Sequence, residues 1–136
     1  MRESKFAFIM RGVPGSGKST TAKRLAGNDG IIHSVDSFHK DEMGNFLWID
    51  EKIDEYYLKN FESFSDSCQK GYSVVVCDCM NLTNDDYQKY VDVAQEFGYI
   101  VSTVSMQHPD PEEAANRNKH YVSKEQINSF LDLWER

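Results

Sequence analysis

A glycine-rich segment near the N-terminus carries the clearest chemistry in this chain. Residues 12–19 read Gly-Val-Pro-Gly-Ser-Gly-Lys-Ser and fit the phosphate-binding pattern G-x-x-x-x-G-K-[ST] at every fixed position. Glycines let backbone N–H groups converge on an anion, and the N-terminus of a following helix adds partial positive charge. We expect Lys18 to reach the β- and γ-phosphates of a nucleotide and the Ser19 hydroxyl to ligate Mg²⁺. The predicted nucleotide-binding residues of this segment are Gly12, Pro14, Gly15, Ser16, Gly17, Lys18, Ser19 and Thr20.

Two aspartates follow apolar runs elsewhere in the chain. Asp78 comes directly after the β-branched run 73–77, where a second acidic group near the metal is expected; with Ser19 it is the predicted metal site. Asp36 ends the run 31–35, where it would face the γ-phosphate and act as the base that activates an acceptor hydroxyl. The alternative for each is a structural role, as a loop cap for Asp78 and a turn cap for Asp36.

A single arginine completes the predicted catalytic set. Arg117 lies beyond the fourth apolar run, where it could fold over the transferring phosphate and stabilise its charge. It is therefore predicted both to bind the nucleotide and to act in catalysis, together with Lys18 and Asp36. The alternative is a solvated cation at a helix C-terminus, where cations are common.

These residues need a sheet and helices to bring them together, and strand-like and helix-like runs alternate along the chain. Continuous apolar runs predict buried parallel strands, and capping residues such as Thr83 and Ser123 predict helix starts. The predicted strands are 6–10, 31–35, 73–77 and 99–105; the predicted helices are about 18–26, a long one ending at Lys70, one after Thr83, one from Asp110 to about Arg117 and one after Ser123. Residues 39–48 are predicted to form a loop over the site. Such alternation indicates an α/β fold with ligands at the carboxyl ends of the strands.

Size and composition limit the classes of protein. The 136 residues suit one domain, 1–136, with a lid at about 107–123. There is no apolar run of membrane-spanning length and no basic leader, so we expect a cytoplasmic protein without a membrane partner. Three cysteines, Cys68, Cys77 and Cys79, fit buried thiols better than a disulfide frame or a zinc site. The net charge of −7 argues against wrapping a polyanion but allows a small basic cleft.

The order of motifs resembles the kinase domain of polynucleotide 5′-hydroxyl kinases and related small P-loop kinases common in phages. The resemblance rests on the glycine-rich segment and on three further motifs in order: Ser34-Val-Asp36-Ser-Phe38, Asp78-Cys-Met-Asn81 and Arg117-Asn-Lys-His120-Tyr-Val122. It implies a P-loop kinase fold with a parallel sheet of about four strands, order 2-3-1-4, flanked by helices. It also implies ATP and Mg²⁺ as cofactors, Asp36 as general base, Arg117 as lid arginine and Asn81 on the acceptor side.

This chain departs from that family at the acceptor. The phage kinases place an arginine three residues after the base, whereas this chain has His39 followed by Lys40, and no arginine lies between Arg24 and Arg117. His39, Lys40 and Asn81 are the predicted acceptor-binding residues, and any acceptor phosphate is expected to be weakly held or absent. The phosphatase motif of some relatives is missing, so no 3′-phosphatase activity is expected.

We therefore expect an ATP-dependent kinase acting on a hydroxyl of a nucleic acid, either a 5′-hydroxyl end or a hydroxymethylated base, with DNA favoured over RNA. A nucleoside or metabolite kinase is the second interpretation, and a nucleotide-binding regulatory domain without turnover is the third. The sequence favours ATP over GTP, because no Asn-Lys-x-Asp motif is present. It is compatible with a homo-oligomer and leaves the identity of the acceptor open.

Overall fold

A four-stranded parallel sheet forms the centre of the structure, a computed structural model that describes residues 4–118 and 122–135. The strands are β1 (Phe6–Arg11), β2 (Ile31–His33), β3 (Val74–Asp78) and β4 (Ile100–Ser105). Their order is β2-β3-β1-β4, with Phe6 of β1 opposite Val74 on one side and Ile100 on the other. The predicted α/β class and the strand order 2-3-1-4 are confirmed.

Helices cover both faces of the sheet. They are α1 (Lys18–Ala26), α2 (Ile53–Lys70), α3 (Asn84–Glu96), α4 (Pro111–Arg117) and α5 (Lys124–Asp132). Side chains of a strand alternate between faces, so Ile9 packs with Phe64 of α2 and Tyr90 of α3, whereas Met10 packs with Ala22 of α1. No described helix is long and apolar enough to cross a membrane.

The second strand is shorter than the sequence predicts. β2 ends at His33, and a 3-10 helix, Val35–Phe38, follows at once. This turn is stabilised locally, because the backbone N–H and the hydroxyl of Ser37 both donate to the carbonyl of Ser34. The turn places Asp36 just beyond the carboxyl end of the sheet.

The segment predicted as a loop over the site contains a small hairpin. Lys40 and Phe46 form an isolated antiparallel bridge, and the carboxylate of Asp41 accepts hydrogen bonds from two backbone N–H groups inside the turn, those of Met43 and Asn45. A second 3-10 helix, Asp50–Lys52, leads from the hairpin into α2. The loop is therefore ordered by its own hydrogen bonds.

Side chains cap three of the helices. Thr83 caps α3, Asp110 caps α4 and Ser123 caps α5, each accepting a hydrogen bond from a backbone N–H in the first turn. These caps confirm the helix starts predicted from the sequence. α1 is different, because its N-cap is Gly17, which offers no side chain, and its first turn contains no acidic residue.

Candidate active site

The glycine-rich segment joins β1 to α1 and leaves the N-terminus of α1 open. Gly15 and Gly17 have φ angles of 83° and 86°, in the left-handed region that side chains disfavour. The first N–H groups of an α-helix have no partner within the helix, and here neither a capping side chain nor a carboxylate occupies them. The Ser16 hydroxyl, buried in the same loop, has no hydrogen-bond partner among the described residues. These features fit an anion such as a nucleotide phosphate.

Asp78 connects the two functional side chains of this loop. The Lys18 ammonium lies 3.0 Å from Oδ1 of Asp78, and the Ser19 hydroxyl donates to Oδ2 at 2.9 Å. Asp78 is the last residue of β3, which pairs directly with β1, so the sheet fixes the distance between loop and carboxylate. A serine hydroxyl beside a carboxylate oxygen is a donor set that suits Mg²⁺. The structure thus brings Ser19 and Asp78 together as the sequence predicted, and it adds the contact between Lys18 and Asp78.

The pair is buried and charged. The side chains of Lys18 and Asp78 are 11% and 6% exposed. Burial by itself would lower the pKa of Lys18, but the charge and hydrogen bond of Asp78 outweigh it and raise the pKa above its ordinary value. Lys18 is therefore held as a cation at the mouth of the glycine-rich loop.

Asp36 faces the same region from the neighbouring strand end. It lies in the 3-10 helix after β2, it is partly buried, and its charge acts on both Lys18 and Tyr57 of α2. β2 pairs with β3, so Asp36 and Asp78 leave the same edge of the sheet. The Asp36 carboxylate and the Lys18 ammonium therefore share one site.

The backbone of α4 lies against the glycine-rich loop. A Cβ atom at Gly15 would sit 2.4 Å from the carbonyl oxygen of Ala114, so only glycine allows this approach. Arg117 is exposed in the last turn of α4, three residues beyond Ala114, on the neighbouring part of the helix surface. The lid predicted for residues 107–123 is described except for 119–121, so Lys119, His120 and Tyr121 of the lid motif lie outside the described residues.

Asn118 connects α4 to the residues before α5. Its side-chain amide donates to the carbonyls of Ala114, Ala115 and Val122, and its Oδ1 accepts from the N–H of Val122 at 2.9 Å. The sequence marked Asn118 as part of a motif but gave it no role. Its contacts assign it to positioning the segment that carries Arg117.

The predicted acceptor-binding residues lie in three different settings. His39 is 1% exposed and stacks on Trp48 with ring centroids 4.5 Å apart, so its ring belongs to the interior of the hairpin. Lys40 is exposed on the hairpin. Asn81 is buried with φ 50°, and its amide donates to the carbonyl of Met10 at 2.7 Å, which ties the loop after β3 to the end of β1.

Arg11, to which the sequence analysis gave no role, ties the end of β1 to the loop that follows β3. It is 4% exposed, donates to the carbonyls of Asn81, Leu82 and Glu135, and stacks between the rings of Tyr87 and Trp134 at 4.4 and 4.2 Å. A charged residue ending an otherwise apolar strand, directly before Gly12, is the signal that could have marked it. Its partners come from distant parts of the chain, so the sequence alone could not identify them.

The sheet order, the open glycine-rich loop and the Lys18–Asp78 pair define a P-loop kinase-like domain. Comparison with known families agrees: the chain matches the AAA domain family over residues 8–133 and belongs to it. The match includes Lys18, Ser19, Asp36, Asp78 and Arg117.

The chain resembles a small part of two much longer human proteins. It is 31% identical over 136 residues to NEDD4-binding protein 2 of Homo sapiens, a match that covers 94% of this chain and 8% of that protein. The chain likewise spans 7% of YLP motif-containing protein 1 of Homo sapiens, at 24% identity. The similarity thus concerns one domain and not the whole of either relative.

Solved structures share the fold at low sequence identity. A chain of the Pnkp1/Rnl/Hen1 RNA repair complex superposes with a TM-score of 0.71 at 19% identity, covering 98% of this chain and 45% of that one. A gluconokinase from Sinorhizobium meliloti 1021 gives a TM-score of 0.67 at 18% identity, covering 99% of this chain and 78% of that one. The same fold therefore occurs in a gluconokinase and in a chain of an RNA repair complex.

Proposed function

We propose that this chain is an ATP- and Mg²⁺-dependent kinase that transfers the γ-phosphate of ATP to a hydroxyl group of a nucleic acid. The observation that carries the proposal is the meeting of Lys18, Ser19 and Asp78 at the strand edge that also presents Asp36. A regulatory domain that only binds nucleotide needs no carboxylate facing the phosphates from the acceptor side. A chain of an RNA repair complex among the structural neighbours supports a nucleic acid as acceptor.

The glycine-rich loop and α1 would hold the phosphates of ATP. Backbone N–H groups of the loop and of the open helix end would donate hydrogen bonds to the phosphate oxygens. Lys18 would exchange part of its contact with Asp78 for contacts with the β- and γ-phosphates. Ser19 and Asp78 would hold Mg²⁺, which neutralises phosphate charge when it is bound. Since Asp78 already orients both side chains, little rearrangement is needed when the nucleotide enters.

Asp36 would receive the proton of the acceptor. As the acceptor oxygen bonds to the γ-phosphorus, the bond from that phosphorus to the bridging oxygen of ADP breaks, and the acceptor proton passes to the Asp36 carboxylate. Arg117 would close over the transferring group and stabilise the charge that develops there. ATP supplies the phosphoryl group, the acceptor supplies the proton, and this chain supplies the carboxylate that receives it.

A small-molecule acceptor is the second candidate. The net charge of −7 favours a small acceptor over a long polyanion. The gluconokinase among the structural neighbours has the same fold. The acceptor therefore has to be determined by experiment, with both classes present in the same assay.

Transfer of labelled γ-phosphate from ATP·Mg²⁺ tests the proposal. The acceptors are 5′-hydroxyl DNA and RNA oligonucleotides, DNA with hydroxymethylated bases, free nucleosides and gluconate. Label on any of the nucleic acids supports the proposal, and label on the small molecules alone supports the second candidate. ATP binding without transfer to any acceptor would leave a regulatory domain as the function.

A charge-removing variant at Asp36 tests the mechanism. Asp36→Asn should lower kcat about 10²- to 10⁴-fold, the usual contribution of a general base, while the Kd for ATP stays within about twofold. Asp29→Asn, the same change at an exposed residue beyond α1, should leave kcat unchanged. A loss of folding in Asp36→Asn, seen as a lower Tm without nucleotide, would instead identify a turn cap.

A further inference from the structure

A cleft opens between the start of α2, the start of α3 and the loop that follows β3. Its volume is about 500 Å³, within the range of small-molecule sites and large enough for a nucleoside-sized group. The lining residues used below are Ile53, Asp54, Tyr57, Met80, Asp86 and Lys89. Met80 follows Asp78 by two residues, so the cleft begins at the carboxyl end of β3.

Tyr57 connects the cleft to the part of the structure that carries Asp36. This side chain lines the cleft, and the charges of both Asp36 and Asp86 act on it. α2, which carries Tyr57, also packs against the 3-10 helix that contains Asp36. A group seated in the cleft would therefore lie near the element that carries the proposed base.

The charges around the cleft are unsuited to a phosphate. Asp54 and Asp86 contribute two carboxylates, and Lys89 is the one cation among the lining residues within the described part of the chain. The Lys89 ammonium lies 5.4 Å and 5.7 Å from the ring centroids of Phe61 and Tyr90, so part of its charge is already matched by ring faces. A phosphate entering here would meet two like charges and a cation that is already engaged.

The hairpin on the other side of Asp36 does not supply a phosphate-binding cation at the expected place. His39, three residues after Asp36, is packed between Trp48 and Tyr56, with ring centroids 4.5 and 4.7 Å away. No arginine occurs between Arg24 and Arg117, so the bidentate contacts that usually hold an acceptor phosphate have no source in this region.

We propose that this cleft binds the part of the acceptor next to the reacting hydroxyl, and that this part is a phosphate-free ring such as a nucleobase or an unphosphorylated sugar. The inference rests on the proposed function and specifies its substrate. Carboxylates accept hydrogen bonds from the hydroxyl and amino groups of such rings, and Ile53 and Met80 offer apolar contact to a ring face. A nucleic acid would then be an acceptor where its phosphates can stay outside the cleft, as with a hydroxymethylated base, whereas the 3′-phosphate beside a 5′-hydroxyl would enter with the sugar and meet the carboxylates.

Paired acceptors that differ by one phosphate test the inference. The probes are the four nucleosides and their 3′-monophosphates, each with a free 5′-hydroxyl, and the readout is the kcat/KM for transfer of γ-phosphate from ATP·Mg²⁺. We expect at least one nucleoside to be preferred over its 3′-monophosphate by about tenfold or more, because the phosphate meets like charges. Asp54→Asn should reduce that preference several-fold by raising kcat/KM for the monophosphate.

Glu62→Gln is the matched control, since it removes the same charge from an exposed position of α2 that does not line the cleft. It should leave the preference unchanged. A change in the ratio of two kcat/KM values cannot arise from lost stability alone, since both substrates meet the same folded fraction.

The outcomes separate this inference from the proposed function. Equal use of both acceptors, preference for the monophosphate, or an unchanged ratio in Asp54→Asn overturns the inference while leaving the kinase assignment in place. Absence of label on these probes and on every acceptor in the wider set, with ATP bound, refutes the proposed function and the inference together.

Discussion

Removing both partners of the Lys18–Asp78 pair should destabilise the protein without nucleotide by clearly less than the sum of the two single removals. In Asp78→Asn the Lys18 side chain, which is 11% exposed, stays largely buried. Its ammonium loses the carboxylate charge that offsets the cost of burying it. In Lys18→Met the Asp78 carboxylate is left in the same position. Breaking a buried pair in this way costs about 3–5 kcal/mol, and the lower end applies here because Lys18 retains some contact with water.

The expected shift in Tm follows from the size of the chain. At roughly 2.1 cal/mol/K per residue, 136 residues have an unfolding entropy near 0.29 kcal/mol/K, so about 3 kcal/mol corresponds to about 10 °C. The double variant, Lys18→Met with Asp78→Asn, no longer buries a charge and should recover about 2 kcal/mol of the summed loss. The Ser19 hydroxyl can still bond to the amide at position 78, which limits the damage in the double variant.

Urea unfolding of the four proteins without nucleotide measures this coupling through the midpoint at constant m-value. The exposed pair Lys70–Asp66 is the matched control: its N–O distance is 2.9 Å, but its side chains are 61% and 56% exposed, and its cycle should show no coupling beyond experimental error. If the Lys18–Asp78 cycle is additive within about 0.5 kcal/mol, burial does not govern this pair and our reasoning on the site is wrong.

Three further predictions concern the parts that hold the site in place. Gly15→Ala should lower ATP affinity at least tenfold and lower the Tm, because its Cβ would clash with the Ala114 carbonyl; Gly98→Ala, at the same φ of 83° with open space around it, should affect only the Tm. Asn118→Ala should cost about 2 kcal/mol by leaving carbonyls of α4 and the next segment without their donor, and an unchanged Tm would contradict that role. Burial lowers the pKa of His33 from its ordinary value near 6.5, so the unfolded chain binds this proton more readily; stability should be full above about pH 6.5 and fall below it, and His33→Gln should weaken this fall in a series of urea midpoints.

The sequence predicted the parts of the fold that depend on local patterns. Runs rich in apolar and β-branched residues located all four strands. The residues Thr83, Asp110 and Ser123 located three helix starts, because a cap interacts with a backbone only three residues away. The end of β2 was placed two residues too late, at Val35 instead of His33. Ser34 and Ser37 form a turn there by a hydrogen bond that competes with the strand, and apolar periodicity does not record it.

The sequence also located the glycine-rich loop between β1 and α1, but not how the remaining site residues are arranged around it. Lys18 and Asp78 are 60 positions apart, and their contact follows only from the pairing of β1 with β3. His39 was predicted to bind the acceptor because it lies three residues after Asp36, whereas the structure buries its ring against Trp48. Such burial depends on how the hairpin closes, which no spacing rule predicts. The roles of Asp36 and Arg117 stay predictions.

The position of Arg11 has a consequence for the order of folding. Both sheet neighbours of β1 and the partners of Arg11 are contributed by residues at least 68 positions later in the chain, the last of them Glu135. Contacts of such long range are slow to form, because the intervening chain must be closed into a loop first. We therefore expect the glycine-rich loop to gain its full support in a late folding step, and ATP added during refolding should act after that step and not before it.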